Sequence, residues 1–545
     1  MNQLLKLCCL SFILWACNSK SPNQTNTTLG ELQHGFPISE KAQADFDQGL
    51  LLLHSFEYDD ARKSFSKAIE ADSNEVMAYW GKAMTHYKAL WGLQNVESGR
   101  EILNQVGSTK EERIAKADKG IERDFWEGLE LLFGEGELKE RNQAFADHLS
   151  DLHRENPKHQ EIAAFYALSL LWSSPKDGSQ DHSINAAAVA QSILTENPNH
   201  PGALHYTIHA FDSPNLAIQG IEAANKYAST APDAVHALHM PSHIYLNRGM
   251  WNEVASSNEN SYGASVRKME RLGLGDAARG FHSYQWLHYA YLQQGRFDKA
   301  TQLMKDMLSF TRNAQTSSAR AYLINMQNFQ VTESGSWDLK EAPLVVDVED
   351  LSIATNAQHH FFVSLMATKE GGYETIKTHI ELLEDKIAKA ELLVTTDGIS
   401  MCSAGYTRYA PNKRTIIQAE VMLNQMMAMS AILKGDPSAT ENHLKKAVAL
   451  ESELPLPQGP PDIPLPSYEQ YAYWLIDQAR YEEALVLFDQ GLERTPLRAK
   501  ALQGKKIAYQ ALNQADKANE MQSLLDVFWQ KELIASNFLP HIKSL

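Results

Sequence analysis

Cysteine is scarce: the 545 residues contain Cys8, Cys9, Cys17 and Cys402 and no others. Beyond position 17 only Cys402 remains, so the body of the chain has no internal disulfide and is held by its own apolar contacts. A lone thiol also argues against a cysteine-based metal site. Positive charge is short as well. Fifty Lys+Arg face 67 Asp+Glu, a net charge of -17, and no basic stripe interrupts it. Nucleic acid is therefore excluded as the main partner. The apolar run Leu7–Trp15 is too short to cross a bilayer, and no longer run stands out after it. The phosphate loop, the Gly-x-Ser-x-Gly elbow, His-Glu-x-x-His and the dinucleotide Gly-x-Gly-x-x-Gly are all missing, so no catalytic residue is assigned. What is present is 43% apolar and 21% charged, a globular composition, over a length that needs several domains or a repeat array.

The N-terminus has an export pattern. Lys6 precedes the apolar run, which has the length of a signal-peptide core. Leu14-Trp15-Ala16-Cys17 resembles the lipobox of bacterial lipoproteins, although Trp15 is bulkier than usual. The resemblance implies a signal peptide over 1–16, lipid on Cys17 and a place in the bacterial envelope. Asn18, where an Asp is absent, favours the outer membrane over the inner one. Residues 17–40 are expected to form a flexible tether, because 18–28 is rich in Asn, Ser, Thr and Gln with little to bury.

From residue 41 apolar positions recur at helical spacing. In 42–75, Gly49, Ala61, Phe65 and Ala68 take the small and aromatic positions of a 34-residue helix-turn-helix unit. Phe281–Leu308 repeats the pattern with Tyr284, Leu287, Gly295, Ala300 and Met304. Ala484, Phe488, Gly491 and Pro496 form a third copy, and Tyr245, Gly249, Trp251 and Val254 a less regular fourth. These units resemble the tetratricopeptide repeat. The expected fold is all-α, a right-handed helical solenoid of antiparallel helix pairs. Its expected parts are repeats over 41–310, irregular helical repeats over 311–452, an extended Pro-rich segment over 453–467 and C-terminal repeats over 468–545. The segments 200–210 (HPGALHYTIHA) and 236–245 (HALHMPSHIY), with Gly459-Pro460-Pro461 and Arg494–Arg498, resemble a large bacterial family of tetratricopeptide lipoproteins. That resemblance implies the fold and leaves activity open.

Histidine is concentrated. Eight of the 20 fall between His200 and His288, where an even spread predicts about three. His205 and His209 are an i,i+4 pair; His236, His239 and His243 fall within ~60° of one helix face. By the tetratricopeptide resemblance these positions and His282 line the concave groove. They are the candidate ligands of a transition metal, Zn, Cu or Fe, with Asp212 and Asp233 as carboxylates at hand. The outer pair His236/His243 spans ~10 Å of helix, too far for one ion. His239 with one neighbour, completed by His209 or His282, or two ions, is the expected arrangement. A polar network is the competing reading, and Pro241 threatens to turn His243 away from His236. His288, at a packing offset, reads as a core histidine. His54, Trp80, His86 and Trp91 are candidate groove residues for a ligand, although core packing is the first expectation for the tryptophans, because large aromatics at helical spacing are usually buried. The expected function is binding of a protein, peptide or small polar ligand in the groove. A metal-dependent hydrolytic or oxidative enzyme is the alternative.

Overall fold

The computed structural model describes residues 28–117, 120–173, 180–335, 346–394 and 410–529. These are almost entirely α-helical, each helix lying against its neighbour in sequence, with one two-residue hairpin pairing Tyr87–Lys88 with Leu93–Gln94. The fold is a tetratricopeptide-like array of helix pairs.

A single turn recurs through it. Phe56, Gly249, Gly295, Gly371, Gly435, Ala479 and Asn513 all have φ between 56° and 70°. In each case the next residue donates its N–H to a carbonyl five residues earlier, at 2.8–3.0 Å, the 6→1 bond of a Schellman motif. The second helix of the pair starts one residue later, at Tyr58, Trp251, Phe297, Tyr373, Pro437, Tyr481 or Ala515. Three positions on comes a buried small or β-branched residue, from Ala61 and Val254 to Ala518. Two of these turns, at Gly371 and Gly435, lie in the stretch 311–452 expected to be irregular. The repeat persists there, but its anchor positions carry Ile376 and Thr440 in place of Ala.

Small residues let the helices close on aromatic fillers. A Cβ at Gly81 would stand 2.3 Å from Phe65, which also fills the space beside Gly49. Phe65 is fully buried.

The N-terminal stretch 28–39 is not a free tether. Leu29 and Phe36 are buried, Glu31 N–H donates to the Asn199 carbonyl at 3.0 Å, and Phe36 meets Phe125 edge-on at 5.0 Å. Its few apolar residues suffice because they enter a cluster that other helices have already built. This strap ties Gln43–His54 to the later helix Pro201–Ala210, bringing distant repeats together. Cys17, the expected signal segment over 1–16 and Cys402 lie outside the described residues.

The C-terminal pairs fold back onto the middle of the array. Arg498, fully buried, donates to Glu469 and Glu333 and to the Tyr289 hydroxyl, while Trp251 Nε1 donates to the Leu497 carbonyl at 3.0 Å. The Pro-rich segment crosses between them with Leu454 and Ile463 buried, its carbonyls accepting from Thr332 and Gln425. Among the described residues one helix, Lys413–Lys434, is long and apolar enough to cross a membrane by length and composition. It is a core helix: 67% of its apolar window is buried against Ile353–Lys369, Tyr373–Glu391 and Pro437–Ser452.

Candidate metal centre

The helix Pro201–Ala210 starts at a built cap. His200 Nδ1 accepts from Ala203 N–H at 3.2 Å, and Pro201 takes the first position, where its missing N–H costs nothing. Capping fixes the His200 tautomer, so its Nε2–H points at Glu161, 3.3 Å away. His54 Nε2 lies 2.7 Å from the other Glu161 oxygen, and His54 Nδ1 faces the Tyr206 hydroxyl at 2.9 Å. All three groups are buried. Burial pushes the Glu161 carboxyl up, but the two imidazoles outweigh it and hold the group below its ordinary range. All four ring nitrogens of His54 and His200 are already bonded, so this trio is a closed hydrogen-bond network that locks the helix start.

One turn further on, three imidazoles do converge. His205 Nδ1 donates to the His54 carbonyl at 2.7 Å, which leaves its Nε2 unprotonated. That Nε2 lies 3.1 Å from His209 Nε2 and 3.2 Å from His236 Nε2. These two edges are close to what an ion with M–N distances near 2.0–2.1 Å needs, since the edge of its tetrahedron is about 3.3 Å, and all three ligand nitrogens lie within 4.8 Å of one another.

Pro241 divides the three-histidine stretch. It ends the helix Val235–His239 and begins Pro241–Asn247, because a proline cannot donate to the Ala237 carbonyl. Met240 keeps helical angles, so the axis continues with a break in its hydrogen bonding. His236 joins the first trio, while His239 and His243 form a second one with His282. Here the tautomers are set by second partners. His239 Nδ1 lies 2.7 Å from Asn258 Oδ1, whose orientation is fixed because its Nδ2 donates to the Val254 carbonyl. His243 Nδ1 lies 2.8 Å from Asp212 Oδ2, and Asn247 occupies the other Asp212 oxygen. The two Nε2 atoms face each other, 3.2 Å apart. Two ring nitrogens at that distance must share a proton or a metal ion between them. Asp212 behind His243 is the carboxylate–histidine arrangement that orients and strengthens a metal ligand. The exposed His282 has its Nδ1 3.2 Å from the Tyr322 hydroxyl.

Burial, followed by the neighbouring imidazoles, holds His205, His209, His236 and His239 well below the ordinary histidine value, so they are neutral at pH 7. The trios adjoin: His209 and His243 ring centroids are 6.1 Å apart, those of His236 and His239 6.3 Å.

Of the groove candidates, His54 and Trp80 are buried in the core and face no ligand, because they fill the space between the first pair and its neighbours. His86 is half-buried and pushed down to about 4, by burial first and then by Arg62, Lys82 and Lys88. Trp91 is the exception. It is 50% exposed and stands edge-on to Phe56 and His236, at the mouth of the first trio. Asp233 lies away from the cluster, accepting the Thr28 N–H. His288 is buried with Nε2 2.9 Å from Gln330 Oε1.

Two site residues escaped the sequence reading. Phe56 takes the left-handed turn position and lies against His205 at 4.4 Å and parallel to His236 at 5.6 Å. A phenylalanine there is strained where four of the other six turns use Gly, and that substitution within the repeat was the available signal. Trp286 packs on His243 and His239 at 4.6 and 4.8 Å, and its other edge meets Gly459.

No protein-family description and no curated protein matches the chain. Among solved structures it is similar to Ypp1 (10% identity, 90% of this chain and 87% of that one, TM-score 0.39). It is also similar to a human IFIT1 dimer with PPP-AAAA (12%, 88% and 89%, 0.37) and to yeast Tom70 (14%, 88% and 99%, 0.32). TM-scores below 0.5 carry no argument about ligand or partner, and the fold assignment rests on the repeated turn and helix pairs.

Proposed function

We propose that this chain is a metal-binding helical-repeat protein, anchored to the bacterial envelope through lipid on Cys17, whose two trihistidine sites hold transition-metal ions. The observation that carries the reading is the 3.2 Å approach of His239 Nε2 to His243 Nε2 while both Nδ1 atoms are committed to Asn258 and Asp212. Helical-repeat arrays present extended surfaces to proteins and peptides, and a protein partner on the array's outer faces is part of this reading. The groove reading is weaker, because the chain's own Pro-rich segment and C-terminal pairs cover much of the array's middle.

Elemental analysis of protein purified without a metal-affinity column tests it. The expected result is bound metal, a rise in melting temperature on adding Zn or Cu, and a fall with chelator. His239→Ala should lose metal far more completely than His288→Ala. Equal loss would place the site elsewhere, and no metal with unchanged melting would end the proposal. For the anchor, Cys17→Ser should release the protein from the membrane fraction. Diacylation supplies the two chains that stable attachment requires.

A further inference from the structure

Resting on that metal-site reading, we infer that the two trihistidine sites act as one pair loaded with copper, and that the reduced pair binds dioxygen as peroxide. The donor set points this way. All six ligands are imidazoles, and the two carboxylates that touch them are engaged. Asp212 takes His243 and Asn247, and Glu57 accepts the His236 N–H and the Lys268 ammonium. Neither is left free to bridge two hard divalent ions.

Charge decides between the metals that imidazole suits. Two zinc ions bring four positive charges into a largely buried site of neutral ligands, where uncompensated charge is costly. Two Cu(I) ions bring half as much. Copper also stands highest in the order of divalent affinities for nitrogen donors, so the oxidised pair is retained.

Three ligands per ion leave positions open. Each Cu(I) gives one electron to dioxygen, whose O–O bond order falls from two to one. One oxygen binds each resulting Cu(II), and the peroxide dianion offsets two of the four charges. No proton and no further reductant enters this step. Rings of the two trios approach to 6.1 and 6.3 Å between centroids, compatible with the ~3.5–4 Å of paired metal ions. Access is present, since His209 and His236 are partly exposed and His282 is exposed.

The test loads the full chain anaerobically with two equivalents of Cu(I), then admits dioxygen. Two bound coppers, uptake of one dioxygen per pair and loss of most of the Cu(II) spin signal through coupling are expected. His282→Ala, an exposed substitution, should retain about one copper and take up no dioxygen. Two coppers showing their full Cu(II) spin, no dioxygen uptake, or undiminished uptake by His282→Ala each overturn the paired-copper inference. The metal-site reading survives those results. It fails separately, and this inference with it, if neither copper nor zinc binds at all.

Discussion

Phe65 shows how single residues set the distance between helices. Its ring occupies the volume that a Cβ on Gly81 would need, only 2.3 Å from the ring. Gly81→Ala should therefore cost about 1–3 kcal/mol by overpacking, and Phe65→Ala about 3–5 kcal/mol by leaving a cavity. The double variant should be less unstable than the sum of the two, because removing the ring makes room for the methyl. Denaturant unfolding of the four proteins checks this. His288 makes a second case. Burial, partly offset by Gln330, pushes it down to about 4. Its folded value lies below the ordinary 6.5, so the unfolded chain takes up the proton first as pH falls. Stability is full above pH 6.5 and declines by up to about 3 kcal/mol toward pH 4 from this residue. His288→Gln should flatten that part of the melting-temperature profile, whereas a profile as steep as the parent's would show that His288 does not contribute.

At the scale of elements, the Pro-rich segment supports the second trio from behind. Gly459 has no side chain because Trp286 lies where one would go, with Cζ2 at 2.5 Å from a built Cβ. Trp286 in turn lies against His239 and His243. Gly459→Ala should push the indole toward those imidazoles and weaken one of the two metal equivalents, leaving the first trio's ion in place. Titration calorimetry with copper would separate the two, and equal weakening of both would mean that the segment does not act through Trp286.

The whole molecule is closed by a buried ion cluster. Arg498 bridges Ser467–Asp477, Ser317–Ser334 and Phe281–Gln293 through Glu469, Glu333 and Tyr289. Arg498→Met should cost about 3–5 kcal/mol, since it strands two buried carboxylates. Adding Glu333→Gln and Glu469→Gln should return part of the loss. Hydrogen exchange should accelerate first in Phe281–Gln293 and Ala499–Ala511, where the C-terminal pairs meet the middle of the array; uniform acceleration would argue against a localised closure.

Sequence alone determined the helix pairs, because Gly49, Ala61, Phe65 and their counterparts repeat at the offsets that close contact demands. It also singled out the histidines, since an i,i+4 spacing puts side chains on one face whatever lies opposite. Which imidazoles meet was decided by tertiary structure. Pro241 splits one stretch between two trios, and His205 finds its Nδ1 acceptor at His54, 151 positions away. Trp80 is core, as large aromatics at helical spacing usually are, but His54, a groove candidate, is core too, because burial depends on which repeats fold back on which. Local spacing sets the face a residue occupies. The closure of the array, made by the strap at 28–39 and by Arg498, decides what that face meets.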